Sequence, residues 1–195
     1  MLNNILLCAA CGAVFAGTLN PLAYEILTNG KMTVGPPYFN MTFGPIMLVL
    51  LVLVPVGPFL TWKRSEGWKT LRYLSWSAVA ALLVAVALLV IVRRGPWFAP
   101  VAIALGAWLI FGALRELALR IGWPQVPLST AWHRLIGLPR NMIGTTLAHA
   151  GLGFLLAAVV ILSVWKVENI ASVPVGGSID LGGYTIKFVG VQDTK

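Results

Sequence analysis

The chain has 195 residues, 58% of them hydrophobic and only 10% charged, with a formal net charge of +8. Soluble domains carry roughly 25% charged residues, so this composition and a mean hydropathy of +0.87 exclude an ordinary water-soluble domain and make lipid the solvent for most of the chain. The 14 basic residues fall between apolar runs rather than along one polar face, which excludes nucleic acid as a partner and fits the flanking charges of membrane helices.

Five segments reach the roughly 20 apolar residues needed to cross a bilayer. They run from about Ile5 to Leu27, Phe43 to Trp62, Tyr73 to Val92, Trp97 to Leu114 and Met142 to Trp165. Backbone groups in hydrocarbon must satisfy one another, so each segment is expected to be a helix. Within the first, Cys8 and Cys11 form a C-x-x-C. Redox and metal chemistry use the thiolate, and no His or basic residue stands close by, so small-residue helix packing is expected there. No Lys or Arg precedes this apolar run and no A-x-A-like site closes it, so it reads as a span rather than a secretory signal.

The connection Val34-Gly35-Pro36-Pro37-Tyr38-Phe39-Asn40 follows. Two prolines favour extended polyproline geometry, Gly35 permits close approach, and Tyr38 and Phe39 stand at a membrane interface. It reads either as a rigid interhelical turn or as a rigid lip presenting aromatics to a cofactor or partner. Pro45, Pro55, Pro58 and Pro100 predict kinks or late helix starts.

Orientation comes from the flanks. The loop 63–72 carries Lys63, Arg64, Lys69 and Arg72, and the stretch 115–140 carries Arg115, Arg120, Arg134 and Arg140; five spans put both on one side. Lys31, Arg93, Arg94 and Lys166 lie on the other, with the Arg93-Arg94 pair the main feature opposing the assignment. The positive-inside rule then places the N-terminus in the cytoplasm and the C-terminal tail outside it. Trp62, Trp97, Trp123, Trp132 and Trp165 mostly mark helix ends. Leu128 to Ile136 has the spacing of an amphipathic interfacial helix, with Arg134 reaching head groups and His133 solvated beside it.

His149 is the exception among spans that otherwise hardly ionise, about two turns into the last one. An ionisable residue at membrane depth is costly and marks a functional-site hypothesis. Thr145, His149 and Gly153 share a stripe, and Gly144, Ala148, Ala150 and Gly151 keep the neighbouring surface low. A macrocycle lying on such a helix would find an axial imidazole, with Thr145 or a backbone carbonyl holding the other ring nitrogen. A histidine bonded across a Gly-rich helix contact and a proton relay are the alternatives.

Residues 1–166 thus form a transmembrane helical region, and 167–195 change character. Ser178 to Leu181 and Tyr184 to Val189 alternate around Gly182-Gly183, a hairpin signal. An isolated hairpin is marginal in water, so the tail reads as the truncated start of a β-rich extramembrane domain. The fold class is all-α integral membrane, with about five transmembrane helices followed by that tail.

Gly17-Thr18-Leu19-Asn20-Pro21-Leu22, the stretch Val34 to Asn40, Gly57-Pro58-Phe59-Leu60-Thr61-Trp62, Ala148-His149-Ala150-Gly151 and the tail Gly182 to Phe188 together resemble the CcmF-type cytochrome c haem lyases, over essentially the whole chain. The resemblance implies a multi-pass protein of the bacterial inner membrane, holding haem b between two histidines. His149 matches one ligand, as axial donor to haem iron, beside Thr145 and Gly153. It further implies an outer (periplasmic) loop formed by Gly35, Pro36, Pro37, Tyr38, Phe39 and Asn40. The implied activity is thioether attachment of haem to the C-x-x-C-H of apocytochrome c, on the periplasmic side, after delivery by a haem chaperone. The family's W-G-G-x-W-x-W-D signature and its other haem-binding histidines are not in this sequence, and Asn20 replaces a usual tyrosine. A fragment or split-gene product is therefore expected, needing a missing N-terminal half or other maturation subunits for activity. The competing expectation is a non-catalytic scaffold that only packs with partner subunits.

Overall fold

The structure, a computed structural model, describes residues 1–59, 67–91, 96, 98–166, 168 and 171–190. The expected loop charges Lys63 and Arg64, the Arg93-Arg94 pair, the side chain of Lys69, Leu60, Thr61, and the boundary residues Trp62, Val92 and Trp97 lie outside the described residues. Six α-helices are described: α1 (Leu2–Thr28), α2 (Pro36–Leu53), α3 (Gly67–Ile91), α4 (Phe98–Ile121), α5 (Leu128–Ile136) and α6 (Arg140–Trp165). All except α5 are long and apolar enough to cross a membrane.

The departures of α1, α2 and α4 from the expected spans have local causes. α1 continues through Pro21 to Thr28, ending where Asn29 takes a left-handed conformation (φ 52°), which closes many helices. Pro36 and Pro37 occupy the first two positions of α2, where their missing N–H groups have no helical partner to lose. Pro55 then stops that helix, and a 3-10 turn over Gly57–Phe59 follows. Pro100 lies in the first turn of α4, as a late helix start requires. α4 runs seven residues beyond the expected Leu114, because the charges that ended the apolar run are accommodated on the helix.

α4 is the hub, antiparallel to α3 and α6 and parallel to α2, while α1 packs on α2. Its Leu109 is fully buried (0% exposed). A Cβ built on Gly106 would sit 2.7 Å from the Gly153 carbonyl oxygen of α6, and one on Gly153 would sit 2.5 Å from that of Gly106. Small residues commonly allow such backbone approach between helices in lipid. Gly112 gives Pro55 the same kind of room, since a Cβ there would meet the ring at 2.5 Å. Hydrogen bonds add direction. Ser77 Oγ donates to Phe111 O at 3.1 Å, and Trp108 Nε1 donates to Val52 O at 3.1 Å. The latter carbonyl stands just before Pro55, where the Val56 N–H turns to Leu53 instead.

The tail folds as an antiparallel hairpin, β1 (Ser178–Leu181) with β2 (Tyr184–Lys187), pairing Ser178 with Lys187 and Leu181 with Tyr184. Gly182 and Gly183 have φ of 59° and 87°, the positive values a two-residue hairpin turn demands.

A substitution series tests the α4–α6 seam. Gly106→Val is expected to destabilise the chain by about 1–3 kcal/mol through overpacking, read by unfolding in mixed detergent micelles. Gly151→Ala, where an added Cβ meets nothing within 4 Å, is expected to leave stability unchanged or slightly raised.

Candidate functional site

Pro139 precedes α6 and Arg140 opens it. His149 follows nine residues later, about 13 Å along the axis at 1.5 Å per residue. It sits at the border of the surface that faces α4, half-buried. Gly153, about 40° round the helix from it, is buried against Gly106. Thr145, about 40° the other way, is exposed. The expected stripe therefore exists, but its members serve different neighbours. The open face of Gly153 is taken by α4, and the Thr145 hydroxyl donates to Asn141 O at 2.9 Å. Thr146, which faces α4, donates to Met142 O at 3.1 Å. The His149 ring has no hydrogen-bond partner among the described residues.

What the ring does meet is a cleft of about 390 Å³. Leu6 of α1, Leu53 at the end of α2, and Val54, Val56 and Pro58 beyond it form apolar walls, with Asn3 contributing an amide. The cleft owes its shape to Pro55. Anchored on Gly112, this residue turns the chain out of α2 so that the following segment faces the start of α1 and the flank of α6. Gly57, with nothing within 4 Å of an added Cβ, leaves that wall low. The motif residues Gly57, Pro58 and His149, distant in sequence, are thereby brought to one place. Chemically the site offers one imidazole lone pair in an apolar recess. No cluster of three or more His, Cys, Asp or Glu that could hold a metal ion exists among the described residues.

The connection Val34 to Asn40 differs from the expected loop or lip. Gly35 is the N-cap of α2 with an extended backbone (φ −105°, ψ −174°), and Pro36 to Asn40 are its first turn and a half. Tyr38 and Phe39 turn inward onto α1, their rings filling the place of a Gly17 side chain; a Cβ on Gly17 would lie 2.5 Å from Tyr38 Cε1 and 2.9 Å from Phe39 Cζ. The two rings meet edge to face at 5.2 Å, and Tyr38 donates its hydroxyl to Ala13 O at 3.1 Å. Only Pro36, Pro37 and Asn40 of this stretch are exposed. The unusual texture of this motif thus encodes a helix start and a helix–helix contact.

Other expectations also shift. α5 spans Leu128–Ile136 as read, with His133 exposed. Arg134, expected among head groups, turns Nη1 back to the Ile121 carbonyl at 3.3 Å and caps α4. Cys8 and Cys11 are free and exposed; Ala10 and Gly17 carry the packing face of α1. One pair escaped the sequence reading. Glu116, buried on α4, accepts from Arg120 Nε at 3.0 Å and Nη2 at 2.6 Å, and Arg120 Nη1 reaches Met142 Sδ of α6 at 3.6 Å. The available signal was the i,i+4 acid–base spacing.

The chain is 42% identical over 195 residues to the "Cytochrome c-type biogenesis protein CycK" of Rhizobium meliloti, covering 100% of this chain and 29% of that protein. It is 38% identical to "Cytochrome c-type biogenesis protein ccl1" of Rhodobacter capsulatus, over 99% of this chain and 28% of the relative. It is 27% identical to "Cytochrome c-type biogenesis protein CcmF" of Escherichia coli, over 98% and 28%. The chain thus spans under a third of the length of these relatives. No protein-family model matches it, and no solved structure does.

The inward placement of Tyr38 makes a measurable difference. Tyr38→Phe is expected to cost about 0.5–1.5 kcal/mol of stability, the net worth of one hydrogen bond, in micelle unfolding. Asn40→Ala, at the exposed end of the same motif, is expected to cost nothing measurable.

Proposed function

We propose that this chain, which belongs to the CcmF/CycK family of cytochrome c-type biogenesis proteins, works in cytochrome c maturation by supplying one axial ligand, His149, to a membrane-embedded haem b. The observation that carries this reading is the placement of His149. It is the only histidine on the five long helices, it stands about 13 Å from the start of α6, and its ring, at an apolar cleft, has no hydrogen-bond partner among the described residues. An imidazole kept at such depth without a partner is costly, and binding to iron is one use that offsets the cost. The residues present fit the group in donor type and in apolar lining. Bound there, haem would supply one-electron redox chemistry, with its potential tuned by axial ligand and burial.

The chain's own residues have defined tasks in this reading. His149 offers its nitrogen lone pair and fixes the position of the group along α6. Leu6, Leu53 and Val56 exclude water from the recess. The Gly106–Gly153 seam holds α6 against rotation, and Glu116–Arg120 ties the ends of α4 and α6 through Met142. His133 lies on α5, outside the five spans, so a second histidine ligand belongs to another segment or subunit. The thioether-forming reaction on the C-x-x-C-H of apocytochrome c, with haem received from a chaperone, would then need that partner as well.

Helix alternation supports the orientation proposed for this protein. Arg72, Arg115, Arg120, Arg134 and Arg140 gather at one end of the bundle, while Lys31 and Lys166 lie at the other. By the positive-inside rule the arginine-rich end is cytoplasmic. The N-terminus is then cytoplasmic and the hairpin periplasmic, in a bacterial inner membrane.

Co-expression with the remaining portion of a family member tests the ligand. The complex is expected to show a low-spin haem spectrum that is lost in His149→Ala. A spectrum unchanged by that substitution would remove His149 as ligand and leave a scaffold that only packs with its partners.

A further inference from the structure

A second cavity, of about 480 Å³, lies between α3, α4 and the turn Gly122–Gln125. Its lining changes character along the helices. Ala80 and Phe111 line the part farther from the arginine-rich end, Trp76 and Leu114 come next, and Arg115, Gln125 and Trp123 line the part nearer it. The antiparallel run of α3 and α4 fixes this order, because Phe111 lies one helical turn, about 6 Å, further from the arginine-rich end than Arg115.

Arg115 is the unusual member. Its Nε donates to Tyr73 O at 3.4 Å, and neither terminal guanidinium nitrogen has a partner among the described residues. The neighbouring carboxylate, Glu116, is already committed to Arg120, and none of the described lining residues is an acid. A cation is therefore held half-buried above an apolar slot with its strongest donors unspent. Trp76 (71% exposed) and Trp123 (48% exposed) flank it, as amphipathic rings do at the level of lipid head groups.

We propose that this cavity binds an anionic phospholipid, its phosphate on the Arg115 guanidinium and one acyl chain along Ala80 and Phe111. The unpaired charge selects for an anion, since a guanidinium fork matches phosphate oxygens. The apolar slot below selects a lipid over a soluble phosphate. The described lining residues include no acid to pair with the ammonium of a zwitterionic head group, and Arg72 at the same end adds positive potential. This assignment does not depend on His149 or on haem.

Native mass spectrometry of the full chain in non-ionic detergent, with phosphatidylglycerol or phosphatidylcholine added in equal amounts, tests the site. Phosphatidylglycerol is expected to be retained about five-fold more, the size of one basic residue's effect on anionic lipid. Arg115→Gln should bring it down to the phosphatidylcholine level, and Arg115→Lys should keep most of the preference. Ala80→Trp fills the apolar end without touching the charge and should also lower retention, while Lys31→Gln, at the opposite end of the bundle, should not. Equal retention of the two lipids, or retention unchanged in Arg115→Gln, would overturn the proposal. Displacement of phosphatidylglycerol by millimolar inorganic phosphate would do the same, leaving a soluble-anion site.

Discussion

Two glycines let α4 and α6 approach until backbone faces backbone, and the rest of the arrangement depends on that contact. With Gly106 and Gly153 each closing on the other's carbonyl, α6 has little freedom to rotate. Its register against α4 is reinforced toward the arginine-rich end by Arg120 reaching Met142. In lipid there is little hydrophobic gain from burying one apolar helix on another, so close packing and a few interhelical hydrogen bonds must supply the specificity. The described helices use both. The same contact sets the direction of His149, which stands at the edge of the seam where it can reach beyond α4.

The second determinant is the interruption of α2. Pro55 ends the helix on Gly112, Trp108 donates to the exposed Val52 carbonyl, and the chain turns through Gly57–Phe59. Unsatisfied backbone is expensive in hydrocarbon, so a break at this depth requires an indole N–H as a donor. What the break creates is the wall opposite His149. The site is thus made by one helix that is held fast and another that is stopped, with α1 closing the side.

Much of this was legible in sequence. Hydropathy and length located all five long helices, the period of Leu128 to Ile136 located α5, and Gly182-Gly183 located the hairpin, because each signal is local. The failures came where a local signal has two physical readings. Pro36-Pro37 reads equally as polyproline or as the first two positions of a helix, and only the contact of Tyr38 and Phe39 with Gly17 decides between them. Arg115 ended the apparent span, yet α4 continues because Glu116 and Arg120 neutralise each other. Gly153 looked like room for a cofactor, whereas its partner Gly106 lies 47 residues earlier and nothing in the local pattern links them. His149 was singled out as the histidine of the last span, and it lies on α6; its cleft was not visible, being assembled from α1, the end of α2 and α6.

The direction of the His149 side chain decides whether the imidazole meets the cleft or the bilayer, and proximity labelling reads it directly. In a Cys8→Ser, Cys11→Ser background, thiols at positions 149 and 56 should be joined by a short bifunctional methanethiosulfonate, since both line the same cleft. Thiols at 147 and 56 should not be joined, because Leu147 is 67% exposed and points to the far side of α6, about 200° round the helix from His149. Efficient joining of 147 to 56, with none between 149 and 56, would mean that α6 is rotated and that the imidazole faces the bilayer.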